Sequence, residues 1–365
     1  MRDIFHDFRP EPSAGNDAYS RELARSLEYS EERRKNYERY LKGDKASANV
    51  GYLPIRADIE NVSRCNFRCT MCQVSDYDQG KRAGDMSMED FAQLIDEQYG
   101  LVEIKLNGIG EPLMQGDEFF EMIEYARAKN IWVRVITNAS LLHLRDNYKK
   151  LVDSDVNEIQ ISIDGSDKET FEKIRRGSRF ERVVENCKLI NDYAKTKGVI
   201  ITKMWTVVQS ANVHQLSDLV QLAARVGFTI QVFCFDFTDW GQSIWRERND
   251  EVFVGDSLSS TDYMALVQQG EARGVRVRFW KVGTKFSSDS PEQLCPWPFA
   301  RAFISSDLRT VPCCMIGNPD TYEIGQGKSF SQAWNSAEYV AFRQSHLNGD
   351  VPQVCLGCYE DVPSL

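Results

Sequence analysis

Cys65-Asn66-Phe67-Arg68-Cys69-Thr70-Met71-Cys72 follows closely on the apolar run Leu53 to Ile59, which reads as a strand. Three thiolates in a C-x3-C-x2-C loop can point at one metal centre and leave a coordination position empty. Four would close a structural zinc site or saturate a cubane cluster, whereas three hold a [4Fe-4S] cluster with one iron free for a small ligand. A zinc knuckle or buried apolar thiols are the alternatives. No histidine or fourth cysteine stands nearby to complete a zinc site.

Outward from that loop the chain alternates strand and helix. Leu53 to Ile59, Val102 to Leu106, Ile131 to Ile136, Glu158 to Ile163, Val199 to Val207 and Thr229 to Cys234 are strand-like. Phe119 to Lys129, Phe180 to Lys195 and His214 to Val226 are helical, and Ser87-Met-Glu-Asp90 resembles a helix capping box. Six βα units predict an α/β fold with a parallel sheet and right-handed crossovers. Ligands then sit at the carboxyl ends of the strands. Residues 1–50 read as an N-terminal helical extension, with Leu23, Leu27, Tyr37 and Leu41 on one face of a helix from Ala18 to Leu41, a solvated charged face opposite and Gly43 as the stop. Residues 51–235 form the core. Residues 236–290, with the strand-like Val275 to Trp280, are a bridge, and 291–365 are a second, small unit rich in Pro, Gly and Cys, with a helix from Phe330 to about His346.

The cysteine spacing and the motifs at later strand ends resemble the radical S-adenosylmethionine (radical SAM) superfamily. The resemblance implies a partial (β/α)6 TIM-like barrel. It also implies that a cluster on Cys65, Cys69 and Cys72 binds S-adenosylmethionine (SAM) and cleaves it to a 5′-deoxyadenosyl radical that takes a hydrogen atom from a substrate. Met71 stands where relatives often carry an aromatic residue against adenine; a flexible thioether fills such space. Gly108, Gly110 and Glu111 resemble the Gly-Gly-Glu segment that meets the SAM amino group. Thr137-Asn138-Ala139 resembles a Thr-Asn-Gly turn with alanine in place of glycine. Ser162 and Asp164 stand at the ribose-binding position, where Asp164 also suits a cap or turn. Arg175-Arg176-Gly177 resembles an Arg-Gly segment in which Arg176 would reach the SAM carboxylate or the substrate, with a surface salt bridge as the alternative, and Asn212 matches an asparagine of relatives.

Cys295, Cys313, Cys355 and Cys358 supply four thiolates through C-x17-C, a long gap and C-x2-C, as in the auxiliary-cluster unit called SPASM or twitch. The further cysteine of the two-cluster pattern is Ser364 here, so one auxiliary [4Fe-4S] cluster is expected. The usual glycine before Cys313 is Leu308. A structural zinc ribbon has the same spacing. Cys234, ending the sixth strand, and Cys314, beside a cluster ligand, are candidate hydrogen-atom donors; a buried apolar thiol is the plainer identity of Cys234.

The 365 residues, 42% of them hydrophobic, suit two or three packing units, and the net charge of −10 lacks the basic footprint of nonspecific nucleic-acid binding. No run reaches the roughly 18 apolar residues of a membrane span, no secretory signal opens the chain, and ten cysteines in metal-like groupings suit a reducing, cytoplasmic setting. The expected function is oxidation or epimerisation of a small polar substrate of sugar or aminocyclitol type, with a flavodoxin- or ferredoxin-type electron donor. Maturation of a ribosomally made peptide is the second reading. A non-catalytic Fe–S electron carrier or zinc-stabilised binding module is the third.

Overall fold

The computed structural model describes residues 5–6, 12–254, 258–280, 286–325 and 329–359. The Ser364 position lies outside them. One ten-stranded sheet organises the described residues. In chain order its strands are β1 (Phe5–His6), β2 (Arg56–Ile59), β3 (Glu103–Leu106), β4 (Trp132–Thr137), β5 (Glu158–Ser162), β6 (Thr202–Val207), β7 (Ile230–Cys234), β8 (Arg276–Trp280), β9 (Arg301–Ile304) and β10 (Thr310–Val311). Strands β2 to β8 lie side by side in sequence order, all parallel; β1 extends the sheet beyond β8, and β9 joins it beyond β2. Only β10 is antiparallel. The six predicted core strands all form, as a sheet with β1 and β10 at its two ends.

Alternation sorts the two faces of this sheet. Ala57, Ile59, Ile104, Leu106, Val133, Val135, Ile159, Ile161 and Met204 are buried in the main apolar core. The other, inner face is charged. Asp58 meets Lys105 and Arg301, Glu103 meets Arg56 and Arg134, and Glu158 meets Arg134 and Lys203. Each carboxylate serves two cations, so these buried charges are paired as burial demands.

The N-terminal extension departs from the expected single helix. It is two helices, α1 (Asn16–Glu28) and α2 (Glu31–Lys42), because Ser30 caps α2 by accepting the N–H of Arg33. Leu23, Leu27 and Tyr37 pack inward, but Leu41 is 65% exposed. The polar face is not wholly solvated: Arg33 donates to the carbonyls of Tyr99 and Lys129, and Asn36 pairs with both backbone groups of Leu53. Tyr19 donates to Glu103, fastening the extension to the charged face. The helix expected from Phe330 to His346 is likewise broken, into Phe330–Ala333 and Ala337–Leu347, with Ser336 as cap. Ser87 caps Met88–Glu97 as expected.

Candidate active site at the carboxyl ends of the strands

The cysteine loop leaves the end of β2 and is held from two sides. Arg68–Cys69 pairs antiparallel with Arg175–Arg176, and the N–H of Thr70 reaches the Ile174 carbonyl at 2.9 Å. The N–H of Cys65 bonds to Gly80 O, while Arg68 donates to Cys65 O at 2.6 Å. Burial, then the Glu111 charge, pushes the Cys65 thiol up to about 12. Burial also raises Cys69 and Cys72; the charge of Cys69 adds to the rise at Cys65, and those of Cys69 and Cys65 add to the rise at Cys72. Buried thiols of this kind become thiolates only when a metal draws the protons off.

The glycine turn after β3 is pressed against the chain itself. A side-chain carbon at Gly108 would overlap Glu60, and one at Gly110 would overlap the carbonyls of Val62 and Arg64. This closeness delivers Glu111, 2% exposed, to the end of β4, where it accepts from Thr137 Oγ1 (2.6 Å) and the Asn138 N–H (2.7 Å). Burial raises the Glu111 carboxyl to about 7. Asn138 Nδ2 donates to Asn66 and lies 3.9 Å from the Cys65 sulfur. Ala139 adopts φ +60°, the left-handed conformation a glycine would take without strain.

The structure distinguishes the two arginines of the Arg-Arg pair. Arg176 is exposed and donates to Arg68 O, whereas Arg175 is buried, 2.7 Å from Asp164 and 4.0 Å from the Cys69 sulfur. Successive residues of an extended segment point opposite ways, a signal the sequence carried. Asp164, fully buried, also accepts the Val207 N–H; Ser162 is half-buried at the end of β5. Asn212 is a turn-holder, donating to the carbonyls of Asp164 and Val207.

Cys295, Cys355 and Cys358 pack against one small apolar cluster of Leu294, Val351 and Tyr359, and Cys313 is raised by burial and then by the charges of Cys314, Cys355, Cys358 and Cys295. Cys355 and Cys358 come from a short helical turn, Gln353–Cys358, and the Cys295 N–H donates to the Tyr359 hydroxyl. Leu308 occupies the turn before them at φ +65°, again a glycine conformation. After burial, the Cys314 thiol responds to Lys105, Asp58 and Arg301, residues of the inner face. Cys234 is buried, in register with Trp280 on that face, its sulfur 3.4 Å from Asp236 O.

Direct contacts join the two cysteine sets. Gln73 donates to the Ile316 carbonyl at 3.0 Å. Trp240, strained at φ +54°, donates to the Met71 carbonyl at 3.3 Å. The donor sets fit iron–sulfur clusters. All ten cysteines are free thiols, and each of the two sets offers cysteine sulfur alone. A zinc ion draws its ligands to about 2.0–2.3 Å; a cluster of several irons is wider and is held by cysteines alone.

Residues 61–223 match the family described as the Radical SAM superfamily, and residues 295–359 match an iron–sulfur cluster-binding domain, SPASM. The chain carries a radical SAM domain followed by a SPASM domain. Its two domains imply [4Fe-4S] clusters and SAM as cofactors. Among curated relatives, mycofactocin maturase MftC of Mycobacterium ulcerans is 31% identical over 60% of this chain and 56% of its own length. GTP 3′,8-cyclase of Saccharophagus degradans is 27% identical over 60% of this chain and 66% of its own. The chain spans about half the length of the MftC relatives it matches. Among solved structures, Streptococcus suis SuiB bound to precursor peptide SuiA aligns at TM-score 0.58 and 15% identity, over 79% of this chain and 66% of SuiB. The structure anSMEcpe with bound AdoMet aligns at 0.56 and 18%, over 85% and 92%. At these identities the likeness is one of fold. No helix among the described residues is long and apolar enough to cross a membrane.

Proposed function

We propose that this radical SAM protein takes a hydrogen atom from a ribosomally made peptide and leaves it oxidised, cross-linked or epimerised. The observation that carries the reading is a half-buried aromatic wall. Trp205 and Trp280, ring centroids 6.0 Å apart, stand on the two strands beside that of Cys234 and offer an apolar surface on the inner face for a peptide side chain to pack against. Relatives named as a mycofactocin maturase and a SuiB structure bound to a precursor peptide support it. The sugar or aminocyclitol substrate expected above finds no support in these relatives. GTP 3′,8-cyclases favour a nucleotide-like small molecule as the second reading.

In this reading residues 51–235 are the catalytic core, 1–50 an extension, 236–290 a bridge and 291–365 the auxiliary unit. Cys65, Cys69 and Cys72 hold the first cluster, and Cys295, Cys313, Cys355 and Cys358 the second. When bound, the first cluster and SAM supply the one-electron cleavage that yields the 5′-deoxyadenosyl radical. Glu111 and the backbone at Gly108 and Gly110 hold the SAM amino group, and Asn138 braces the loop beside Cys65. Ser162 faces the ribose, while Asp164 acts through Arg175. Arg175 is better placed than Arg176 for the SAM carboxylate. Met71 packs on adenine. Cys234 and Cys314 are the thiols from which a hydrogen atom can return to the substrate. A flavodoxin- or ferredoxin-type protein donates the electron.

Anaerobically reconstituted protein, given SAM, dithionite and a precursor peptide deuterated at its side chains, should transfer deuterium into 5′-deoxyadenosine. Transfer only from a labelled nucleotide would favour the second reading. Protein that carries zinc, or forms no 5′-deoxyadenosine, overturns the enzyme reading and leaves a binding module or electron carrier.

A further inference from the structure

Glu60 stands five positions before Cys65 and is fully buried, yet neither the cysteine motif nor the SAM contacts employ it. Its carboxylate is used from three directions. Oε1 accepts the N–H of Ile109 at 3.1 Å, inside the glycine turn that delivers Glu111. Oε2 accepts the N–H of Ser306 at 3.1 Å, in the turn between β9 and β10 that leads to Cys313. Arg82, from the loop following the three cysteines, lies 3.3 Å from Oε2 and makes a paired contact, 2.7 Å on each side, with Asp307. Gly108 has no side chain because Glu60 occupies that space. One carboxylate therefore touches three loops: the one carrying Arg82, the one carrying Glu111 and the one carrying Cys313.

The chemistry is not that of a space filler. An ionised carboxylate removed from water is costly, and an apolar residue of similar volume would fill the same room more cheaply. What an apolar residue lacks is the ability to bind two backbone N–H groups from different turns at once. Burial raises the Glu60 carboxyl, and Arg82 and the two N–H groups offset that cost only in part. Arg82 is tied outward to Asp307, whose carboxyl its partners lower to about 2 against the opposing effect of burial. Glu60, Arg82 and Asp307 thus form a hydrogen-bonded chain that closes through the Ser306–Asp307 peptide back to Glu60, with the Ile109 N–H attached at the other carboxylate oxygen.

We propose that Glu60 is a positioning residue that couples the SAM pocket to the auxiliary-cluster unit: it fixes the Gly108–Glu111 turn relative to the Ser306–Asp307 turn, so that SAM affinity depends on whether the auxiliary unit is properly seated. The dependence is reciprocal, since coupling between two sites acts equally in both directions. It holds whichever substrate the enzyme takes.

The test uses the full chain with both clusters reconstituted, and reads the SAM dissociation constant from the SAM-induced change in the electron paramagnetic resonance spectrum of the reduced first cluster. Glu60→Gln keeps the shape but sets an amide N–H against a backbone N–H or against Arg82. It should weaken SAM about tenfold, with iron content unchanged. Asp307→Asn, at the half-exposed end of the network, should weaken SAM about threefold. In the double variant the two losses should combine to less than their product, because both act through one network. A merely structural Glu60 would lower the melting temperature and leave SAM affinity within twofold of wild type, and that result overturns the proposal. If Glu60→Gln fails to hold iron, Asp307→Asn decides alone: unchanged SAM affinity in that variant overturns the proposal equally. Substrate turnover does not enter the readout, so failure of the peptide reading leaves this test intact.

Discussion

The two cysteine sets of this molecule are built in opposite ways. The first is one eight-residue loop at the end of one strand, its geometry set within its own segment and by a short pairing to Arg175–Arg176. The second draws Cys295, Cys313 and the pair Cys355 and Cys358 from segments far apart in the chain, in a unit joined to the core where β9 lies against β2 and Gln73 reaches Ile316. A local site is tolerant of distant change, whereas a gathered site depends on everything that gathers it.

The largest test of that contrast exchanges one ligand in each set. Cys72→Ala should abolish 5′-deoxyadenosine formation and remove about four irons per chain while the second cluster persists. Cys355→Ala should leave SAM cleavage measurable but uncoupled from product. Equal loss of SAM cleavage in both variants would break the comparison.

Next is the Arg-Arg pair that braces the first loop. Arg175→Met strands Asp164 without its cation and should cost about 3–5 kcal/mol of stability, read by thermal melting; Arg176→Met, at the surface, should stay within about 0.5 kcal/mol. Similar losses for both would refute the assignment of the inner role to Arg175.

A third test concerns pH. Burial raises Glu111 to about 7 from an ordinary 4.5. The folded state therefore holds this proton more tightly than the unfolded one. The group's contribution is full below pH 4.5 and is lost as pH rises through about 7, a swing of about 3 kcal/mol. Glu111→Gln should flatten that dependence, gaining on wild type at pH 8 but not at pH 4. Parallel stability–pH curves for the two proteins would show that Glu111 is not the group responsible. The smallest effect belongs to the second unit: Leu308→Gly relieves a left-handed leucine and should add about 0.5 kcal/mol after glycine's entropic penalty. A loss of stability would mean the Leu308 side chain contributes more than its backbone costs.

What could be read from the chain follows the same division. The three-cysteine loop, the six core strands and the Ser87 cap rest on neighbours in sequence, and all were legible. The break at Ser30 was legible in principle, as a serine followed by two glutamates, but the amphipathic spacing of Leu23, Leu27 and Tyr37 overrode it. The choice of Arg175 over Arg176 needed the pairing partner at Arg68–Cys69. Strand β9 was hidden for a different reason: Arg301–Ile304 finds its partner some 240 positions earlier, at Arg56–Ile59, and no local pattern announces such a pairing. The contacts of Glu60 were invisible because two of its partners, Ile109 and Ser306, offer only backbone groups and the third, Arg82, comes from a separate loop.

The register of β9 has a consequence for how such chains can change. Arg301 stands opposite Arg56 and sends its guanidinium to Asp58, while Ala302 and Ile304 enter the core beneath the helices. Side chains alternate with a period of two, so inserting or deleting one codon inside this strand would drive an arginine into hydrocarbon and turn an isoleucine toward the charged face. Length variation must therefore fall in the connections on either side. Those four residues act as a ruler whose marks cannot be moved singly.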